Sequence, residues 1–154
     1  MKKENNNRKE VVIYCDGSCK GNPGQGGWAS ILIYRGKRKI LTGFSKETTN
    51  NIMELTCAVR ALEQLKEPCT VALYSDSSYL VKGMTEWLPD WKEKNWKNSQ
   101  KKAVKNQELW RKLDMLNQKH AIYWQWVKGH EGHPENEECD RLAKATIKKQ
   151  LSKL

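Results

Sequence analysis

The sequence predicts a single α/β domain in which helices pack on a five-stranded mixed β-sheet. The chain has 154 residues, a length typical of one domain with its own hydrophobic core. Apolar runs rich in β-branched residues alternate along it with segments whose apolar residues recur at helical spacing. The order of these segments is β-β-β-α-β-α-α-β-α, which is typical of a mixed sheet with helices packed on it.

Three strands are predicted at the start of the chain. VVIYCD (11–16) is a continuous apolar run, as expected of a central strand that is buried on both faces. GWASILIYRG (27–36) and KRKILTGFS (37–45) flank Gly36, so a tight turn is expected between them.

Two further strands follow later in the chain. CTVALYSD (69–76) is a second apolar run, and like the first it ends in an aspartate. AIYWQWV (121–127) alternates as a strand does, which places Ile122, Trp124 and Trp126 on one face.

Helices are predicted where apolar residues recur every three or four positions. The first begins at an N-cap, Thr49 or Asn50, and is closed by Pro68. A short helix is expected through Leu80 and Val81. The apolar stripes of the first helix and of the two later ones are Leu55, Ala58, Val59, Leu62 and Leu65; Leu109, Leu113 and Leu116; and Cys139, Leu142, Ala143 and Ile147.

The composition favours a folded protein with a polyanionic partner. The net charge is +10, and a balance this basic is typical of nucleic-acid binding. Residues 86–105 contain six lysines and three acids, and residues 141–154 contain five basic residues and no acid. For the second group, solubility alone is the favoured explanation. The five cysteines lack Cys-x-x-Cys spacing, so reduced thiols are expected rather than a zinc site.

No apolar run is long enough to span a membrane and no secretory leader is visible, which predicts a cytoplasmic protein.

Four acidic residues are predicted to meet at one edge of the sheet. Asp16 and Asp76 each end an apolar strand, and open α/β sheets place their sites at such carboxyl ends. Glu54 falls in the first turns of its helix, and Asp140 about one turn inside the last helix. Carboxylates brought this close repel each other, and divalent cations relieve the repulsion; oxygen-only ligands favour Mg²⁺ or Mn²⁺. The spacing alone leaves open that each acid is an ordinary surface residue.

Five blocks of sequence together resemble bacterial type 1 ribonuclease H. The resemblance runs from Val11 to Ile147, and its motifs are specific as a set. In order they are YCDGSCKGNPGQGGWA, TTNNIMELTCAVRALE, YSDSSYLVKGMTEWLPDW, KNQELWRKL and WVKGHEGHPENEECDRLA. The resemblance implies a five-stranded mixed sheet and cleavage of the RNA strand of RNA–DNA hybrids, with 5′-phosphate and 3′-hydroxyl ends.

The resemblance also implies roles for the acids. Asp16, Glu54, Asp76 and Asp140 match the family's catalytic acids, which hold two Mg²⁺ ions, with Mn²⁺ as a substitute, at the scissile phosphate. Asp16 would ligate both ions, Asp140 the ion on the nucleophile side, and Asp76 and Glu54 the other. Glu54 would also accept a hydrogen bond from the ribose 2′-hydroxyl.

His130 matches the histidine of the family's flexible loop. The segment 127–136 holds two Gly and one Pro, so a mobile loop is expected there. Imidazole titrates near neutral pH, which suits a proton shuttle or a group that assists product release. His130 and His133 are separated by two residues rather than the three of a zinc-protease helix, so a zinc site is not favoured.

Substrate contacts are implied in the same way. Cys19 and Asn22 would contact the RNA strand, Asn50 and Asn51 the minor groove, and Thr49 and Asn106 a phosphate of the DNA strand. Ser78 stands where the bacterial pattern commonly has Gln, so the shorter side chain is expected to weaken one interaction. Residues 86–102 resemble the family's basic protrusion, with Trp87 against deoxyribose and Lys92, Lys94 and Lys97 on phosphates.

These observations lead to a free-standing, monomeric hybrid endoribonuclease, with a loose tail over 1–10 and a catalytic domain over 11–150. Two alternatives stay open. A nuclease domain excised from a larger polymerase would carry the same motifs. A catalytically idle hybrid-binding module would share the basic surface, but the complete set of acids argues against it.

Overall fold

The computed structural model describes residues 8–129 and 132–153 and contains one five-stranded mixed sheet. In sequence order the strands are β1 (Lys9–Gly21), β2 (Gly24–Tyr34), β3 (Lys37–Thr48), β4 (Cys69–Ser75) and β5 (Ala121–Trp126). Their order across the sheet is β3-β2-β1-β4-β5. The first three pair antiparallel, whereas β1 with β4 and β4 with β5 pair parallel. The predicted fold class is confirmed.

The predicted helices are present, and the structure adds one short helix between the fourth and fifth strands that the sequence did not predict. The helices are α1 (Asn50–Glu63), α2 (Ser78–Lys82), α3 (Leu88–Glu93), α4 (Gln107–Lys119) and α5 (Pro134–Leu151), and a π-helical turn over Gly83–Trp87 joins α2 to α3. None of the helices in 8–129 and 132–153 is long and apolar enough to cross a bilayer. The tail predicted over 1–10 lies mostly outside the described residues, and β1 begins at Lys9, ahead of the expected Val11.

The hairpin between β2 and β3 turns where the sequence predicts it. Arg35 and Gly36 form a two-residue connection, and both have positive φ, 52° and 79°. Positive φ at both central residues is the requirement of a type I′ turn, whose twist matches that of the flanking strands. The glycine supplies one of these conformations without strain.

The helices cover the two faces of the sheet unequally. The main core lies under α1 and α4, where Ile13, Leu73, Leu55 and Trp110 are fully buried. On the opposite face α5 packs over β1, β2 and β3, with Cys139 and Ala143 against Ala29 and Ile31. β1 therefore lies at the centre of the sheet and is covered on both faces, as its continuous apolar run predicts. All five cysteines are free thiols, and only Cys19 is not fully buried.

Candidate active site

Asp16 lies where β1 parts from β4, not where β1 ends. The parallel pairing of β1 with β4 stops at Tyr14 and Tyr74. The antiparallel pairing with β2 continues past Asp16 to Gly21. The expectation that the strand finishes on Asp16 was therefore wrong, because pairing with β2 keeps the glycine-rich stretch extended. The carboxylate still emerges at the carboxyl end of the parallel ladder, where α/β sheets place their sites.

Glu54 is brought to Asp16 by a close approach of α1 to β1. The Thr49 hydroxyl caps α1 by accepting from the Ile52 amide at 3.2 Å, as one of the two predicted caps. At Gly17 an added Cβ would lie 2.7 Å from the Glu54 nitrogen. Only glycine permits this approach, and the residue after Asp16 thus determines how near the helix can come.

Three carboxylates converge at this point. Asp16, Glu54 and Asp76 each offer an oxygen, and these oxygens lie within 4.8 Å of one another. Asp76 directly follows β4 and is half-buried, whereas Asp16 and Glu54 are 3% and 5% exposed. The backbone N–H of Gly17 donates to Asp16 Oδ1 at 2.9 Å and to Glu54 Oε1 at 3.1 Å. Within the described ranges no lysine or arginine forms an ion pair with any of the three.

Burial and mutual repulsion make Asp16 and Glu54 reluctant to ionise. Burial, followed by the charges of Asp76 and Asp140, raises the pKa of Asp16 to about 8. Burial and then the charge of Asp16 raise the pKa of Glu54 well above its ordinary value. A divalent cation would supply the missing positive charge. The donor set is entirely oxygen, which fits Mg²⁺ or Mn²⁺ rather than zinc.

Asp140 lies in the same pocket but outside the group of three. It is the seventh residue of α5, nearly two turns inside rather than the expected one, because the helix begins at Pro134. Its Oδ2 lies 3.1 Å from the Lys144 Nζ, one turn further along the helix. Its negative charge contributes to the raised pKa of Asp16. The fourth acid therefore faces the cluster while held by a lysine of its own helix.

The acids line an open polar pocket of about 440 Å³. Asn50 and Asn51, predicted to read the minor groove, are exposed on its rim at the start of α1. Ser78, the departure from the bacterial pattern, is exposed there as the first residue of α2. The pocket also includes Tyr79, which the sequence did not single out as a site residue.

The other predicted contact residues near the pocket make internal hydrogen bonds. The Cys19 thiol donates to the Thr48 carbonyl at 3.4 Å, and Asn22 Oδ1 accepts from the backbone N–H of Asn50 at 3.0 Å. Asn22 thereby links the β1–β2 turn to the first residue of α1. Thr49 is occupied as the helix cap described above.

Asn106 lies at the N-terminus of α4 in the left-handed region, with φ of 60°. Its amide nitrogen donates to the Tyr79 hydroxyl at 3.1 Å, and the Trp110 indole donates to the same oxygen at 3.3 Å. Tyr79, which lines the acidic pocket, therefore contacts the residue predicted to grip the DNA strand. No sequence spacing indicates this link, since Tyr79 and Asn106 are 27 positions apart.

The tryptophans of residues 86–102, the basic segment, pack together. Trp91 lies at the centre, with ring centroids 5.8 Å from Trp87, 6.3 Å from Trp96 and 5.1 Å from Trp110. Trp87 also meets the Tyr79 ring edge-on at 5.9 Å. The packing role predicted for these rings is therefore present, and Trp87 remains partly exposed.

The three lysines predicted to bind phosphates differ in their surroundings. Lys92 pairs with Asp114 at 3.1 Å and Lys94 with Asp90 at 3.3 Å. Lys97 is exposed and belongs to an isolated β-bridge with Ala103.

His130 lies outside the described residues. Its neighbour Gly129 packs beside the cluster, since an added Cβ would lie 2.9 Å from Asp76 Oδ2. The chain therefore passes next to the acids immediately before the predicted histidine.

A second recess, of about 350 Å³, lies at the opposite end of the sheet. Its floor is aliphatic and aromatic, with Leu32, Tyr34 and Leu65 among the lining residues. A polar pocket lined by several acids can bind cations and phosphate esters. The rim of the second recess is mostly basic, and the one carboxylate in its lining, Glu67, pairs with Lys9 at 2.8 Å. We therefore assign the candidate active site to the acidic pocket.

Comparisons with known proteins agree with this geometry. The profile of the family described as RNase H matches residues 8–148. A protein named ribonuclease H from Thiobacillus denitrificans is 56% identical over 133 residues, covering 86% of this chain and 90% of its own. A ribonuclease H from Geotalea uraniireducens is 57% identical over 138 residues, covering 90% of this chain and 94% of its own.

Solved structures show the same fold. LC9-RNase H1, described as a type 1 RNase H with the type 2 active-site motif, is 34% identical with a TM-score of 0.81; the match covers 93% of this chain and 74% of that one. LC11-RNase H1, solved with an RNA/DNA hybrid, is 23% identical with a TM-score of 0.71, covering 92% and 99%. The latter identity supports the fold alone.

Proposed function

The chain belongs to the ribonuclease H family and is an endoribonuclease that acts on RNA–DNA hybrids, and on this premise we propose that its four acids hold two Mg²⁺ ions for hydrolysis of the RNA strand. One observation carries the proposal: the oxygens of Asp16, Glu54 and Asp76 converge within 4.8 Å at a largely buried point. Family membership implies dependence on a divalent metal ion, and the proposal specifies the metal, the number of ions and the ligands.

The acids would divide the two ions among them. Asp16 would ligate both, Asp76 and Glu54 one of them, and Asp140 the other, on the side of the attacking water. Asp140 would then exchange the Lys144 ammonium for the metal. When bound, the ions would activate the water and stabilise the leaving 3′ oxygen, which gives 5′-phosphate and 3′-hydroxyl products.

The protein's own groups would place the substrate. Asn50 and Asn51 are exposed on the pocket rim, where their amides can reach 2′-hydroxyls and base edges in the minor groove. Glu54 would accept from the ribose 2′-hydroxyl, so the site distinguishes RNA from DNA. Cys19, near the end of β1, and Asn22, in the β1–β2 turn, would contact the RNA strand.

The DNA strand would lie against the N-termini of α1 and α4 and against residues 86–102. Thr49 and Asn106 would grip one of its phosphates, and Trp87 would pack against a deoxyribose. Lys92, Lys94 and Lys97 would neutralise further phosphates. Ser78 reaches less far than glutamine, so one interaction with the substrate would be weaker than in relatives with the longer side chain.

His130 would shuttle a proton or assist product release, because imidazole exchanges protons near neutral pH. Three other expectations stay predictions from the sequence: a catalytic domain over residues 11–150, a monomeric state and a cytoplasmic location.

The decisive assay compares three substrates under identical conditions. A labelled RNA–DNA hybrid, an RNA–RNA duplex and a DNA–DNA duplex are incubated with the protein in Mg²⁺ and in excess EDTA. Cleavage of the hybrid alone, only with Mg²⁺, and loss of cleavage in Asp16→Asn are expected. Full activity in EDTA, or equal cleavage of double-stranded RNA, would disprove the proposal.

A further inference from the structure

Asp76 differs from the other two clustered acids in how it is held. Asp16 lies within a strand and Glu54 within a helix, whereas Asp76 lies on the bend between Ser75, the last residue of β4, and the start of α2. Backbone hydrogen bonds of regular structure do not fix such a residue. Its position depends on the hydrogen bonds of its surroundings.

Both flanks of the bend are held by hydrogen bonds. The Ser75 carbonyl accepts from the Val127 amide at 2.9 Å, and the Ser75 hydroxyl accepts from the Ser77 amide at 3.0 Å. The Ser77 hydroxyl in turn accepts from the Leu80 amide at 3.1 Å and caps α2. Ser75 is thus tied to the residue that follows β5, and Ser77 is tied to α2.

The backbone carbonyl of Asp76 accepts its hydrogen bond from a side chain. The indole Nε1 of Trp126 donates to it at 3.1 Å. Trp126 is the last residue of β5 and pairs with Ser75 across the parallel ladder, so its ring is aimed at the bend from the neighbouring strand. Trp126 is 52% exposed. Burial of apolar area therefore explains only part of why a tryptophan occupies this position.

We propose that Trp126 is a positioning residue that fixes the bend at Asp76 through its indole N–H and so sets the affinity of the acidic cluster for Mg²⁺. The inference rests on the proposed role of Asp76 as a metal ligand. The indole is a donor only and its ring is rigid, so it can hold one carbonyl in one place. Three carboxylates bind a cation well only when they are already in position, because reordering one of them costs free energy on binding.

The test is a pair of matched substitutions on one strand. Trp126→Phe keeps an aromatic ring but removes the N–H. Trp124→Phe makes the same change two residues earlier, where the indole N–H donates instead to Asn117 Oδ1 at 3.0 Å, away from the acids. A general effect of losing an indole hydrogen bond on β5 will appear in both variants. A specific effect on the cluster will appear only in Trp126→Phe.

Mg²⁺ binding to the free protein is measured by calorimetry, and kcat and KM on an RNA–DNA hybrid are measured at limiting and saturating Mg²⁺. A neutral hydrogen bond has a net worth that corresponds to about threefold to tenfold in an equilibrium constant. We expect Trp126→Phe to weaken Mg²⁺ binding by about that factor and to lower kcat at limiting Mg²⁺, with KM unchanged. Trp124→Phe should leave Mg²⁺ binding unchanged.

Two further variants separate the possible failures. Asp76→Asn tests the premise: if it leaves Mg²⁺ binding unchanged, the proposed function of Asp76 fails. If Asp76→Asn weakens Mg²⁺ binding but Trp126→Phe does not, the positioning role alone is overturned. Trp126→Ala removes the ring as well, and a rise in KM confined to that variant, with Mg²⁺ affinity kept, would show a substrate contact and would also overturn the proposal.

Discussion

Asp16 and Glu54 accept hydrogen bonds from one shared donor, the backbone N–H of Gly17, at 2.9 and 3.1 Å. A single N–H offsets only part of the charge of two buried carboxylates. The metal-free site is therefore a destabilising arrangement, and a cation of high charge relieves it. Ionisation of these acids should therefore lower the free energy of unfolding, and binding of a metal ion should raise it.

Asp16→Asn should raise the melting temperature of the metal-free protein while abolishing cleavage. The amide keeps an oxygen that can accept from Gly17, and it removes the cost of either protonating Asp16 or burying its charge. A gain of about 1–2 kcal/mol corresponds to roughly 2–8 °C for a chain of this size. Thermal melts in EDTA at low ionic strength measure it, with Asp90→Asn, an exposed acid, as the control. Added Mg²⁺ should stabilise the wild type more than Asp16→Asn. A lower melting temperature in EDTA, with no response of either protein to Mg²⁺, would show that the acids do not form one site.

The metal-free protein should lose stability as the pH rises from about 4 to about 8. The pKa of Asp16 is about 8 in the folded protein and ordinarily 3.8, so between these values the folded state holds a proton that the unfolded chain has released. Stability then falls with pH, by at most about 1.4 kcal/mol per pH unit for one proton, and levels off above the folded value. Mg²⁺ must displace that proton, so its affinity should increase over the same range. Urea titrations from pH 5 to 9 measure the stability without Mg²⁺, and the extra stability in Mg²⁺ reports its affinity. Asp16→Asn should flatten the dependence of stability on pH.

Gly17→Ala should destabilise the fold and impair cleavage together. The added Cβ would lie 2.7 Å from backbone atoms of α1, so the helix must move and carry Glu54 away from Asp16. Overpacking of this kind costs about 1–3 kcal/mol. Denaturant unfolding and Mg²⁺ titration measure the two effects. Gly36→Asn is the control, since open space surrounds that position and asparagine tolerates positive φ. Unchanged Mg²⁺ affinity in Gly17→Ala would disprove the link.

Reversing the charge of Lys97 should weaken hybrid binding and flatten its dependence on salt. Each phosphate that the protein no longer neutralises reduces the log–log slope by roughly 0.7–0.9. Lys92 and Lys94 already pair with acids, so Lys97→Glu should have the largest effect of the three single reversals. Binding titrations at several NaCl concentrations, in EDTA, report the slope. Lys148→Glu, on an exposed position of α5, controls for net charge. A slope equal to that of the control would mean that Lys97 faces solvent in the complex.

His130→Ala should slow turnover without abolishing it, because the metal ions supply most of the transition-state stabilisation. Single-turnover and steady-state rates separate the chemical step from product release. Asp16→Asn provides the comparison for complete loss. An equally complete loss in His130→Ala would assign the histidine a larger part in the reaction.

The sequence predicted those features that arise from local pattern. Apolar runs located β1 and β4, and their aspartates converge because parallel strands share one carboxyl edge. It did not predict that β1 extends beyond Asp16, since residues 17–27 are rich in glycine and the stretch 17–21 is a strand only through its pairing with 24–28 of β2. The pairing of Asp140 with Lys144 has a visible signal, a spacing of four residues, but spacing cannot decide between a lysine and a metal as the partner. The bond from Trp126 to Asp76 joins residues 50 positions apart and follows only from the order of β4 and β5.

Tyr79 joins the acidic pocket to the basic segment, residues 86–102, through one rigid ring. It lines the acidic pocket, accepts hydrogen bonds from Asn106 and Trp110, and contacts the ring of Trp87. The separation between the acids and the basic segment is therefore set by side-chain packing rather than by a hinge. A duplex held by the basic segment would present the same phosphate to the acids each time. The packed aromatic rings would then fix the distance between the point where a hybrid is held and the point where it is first cut.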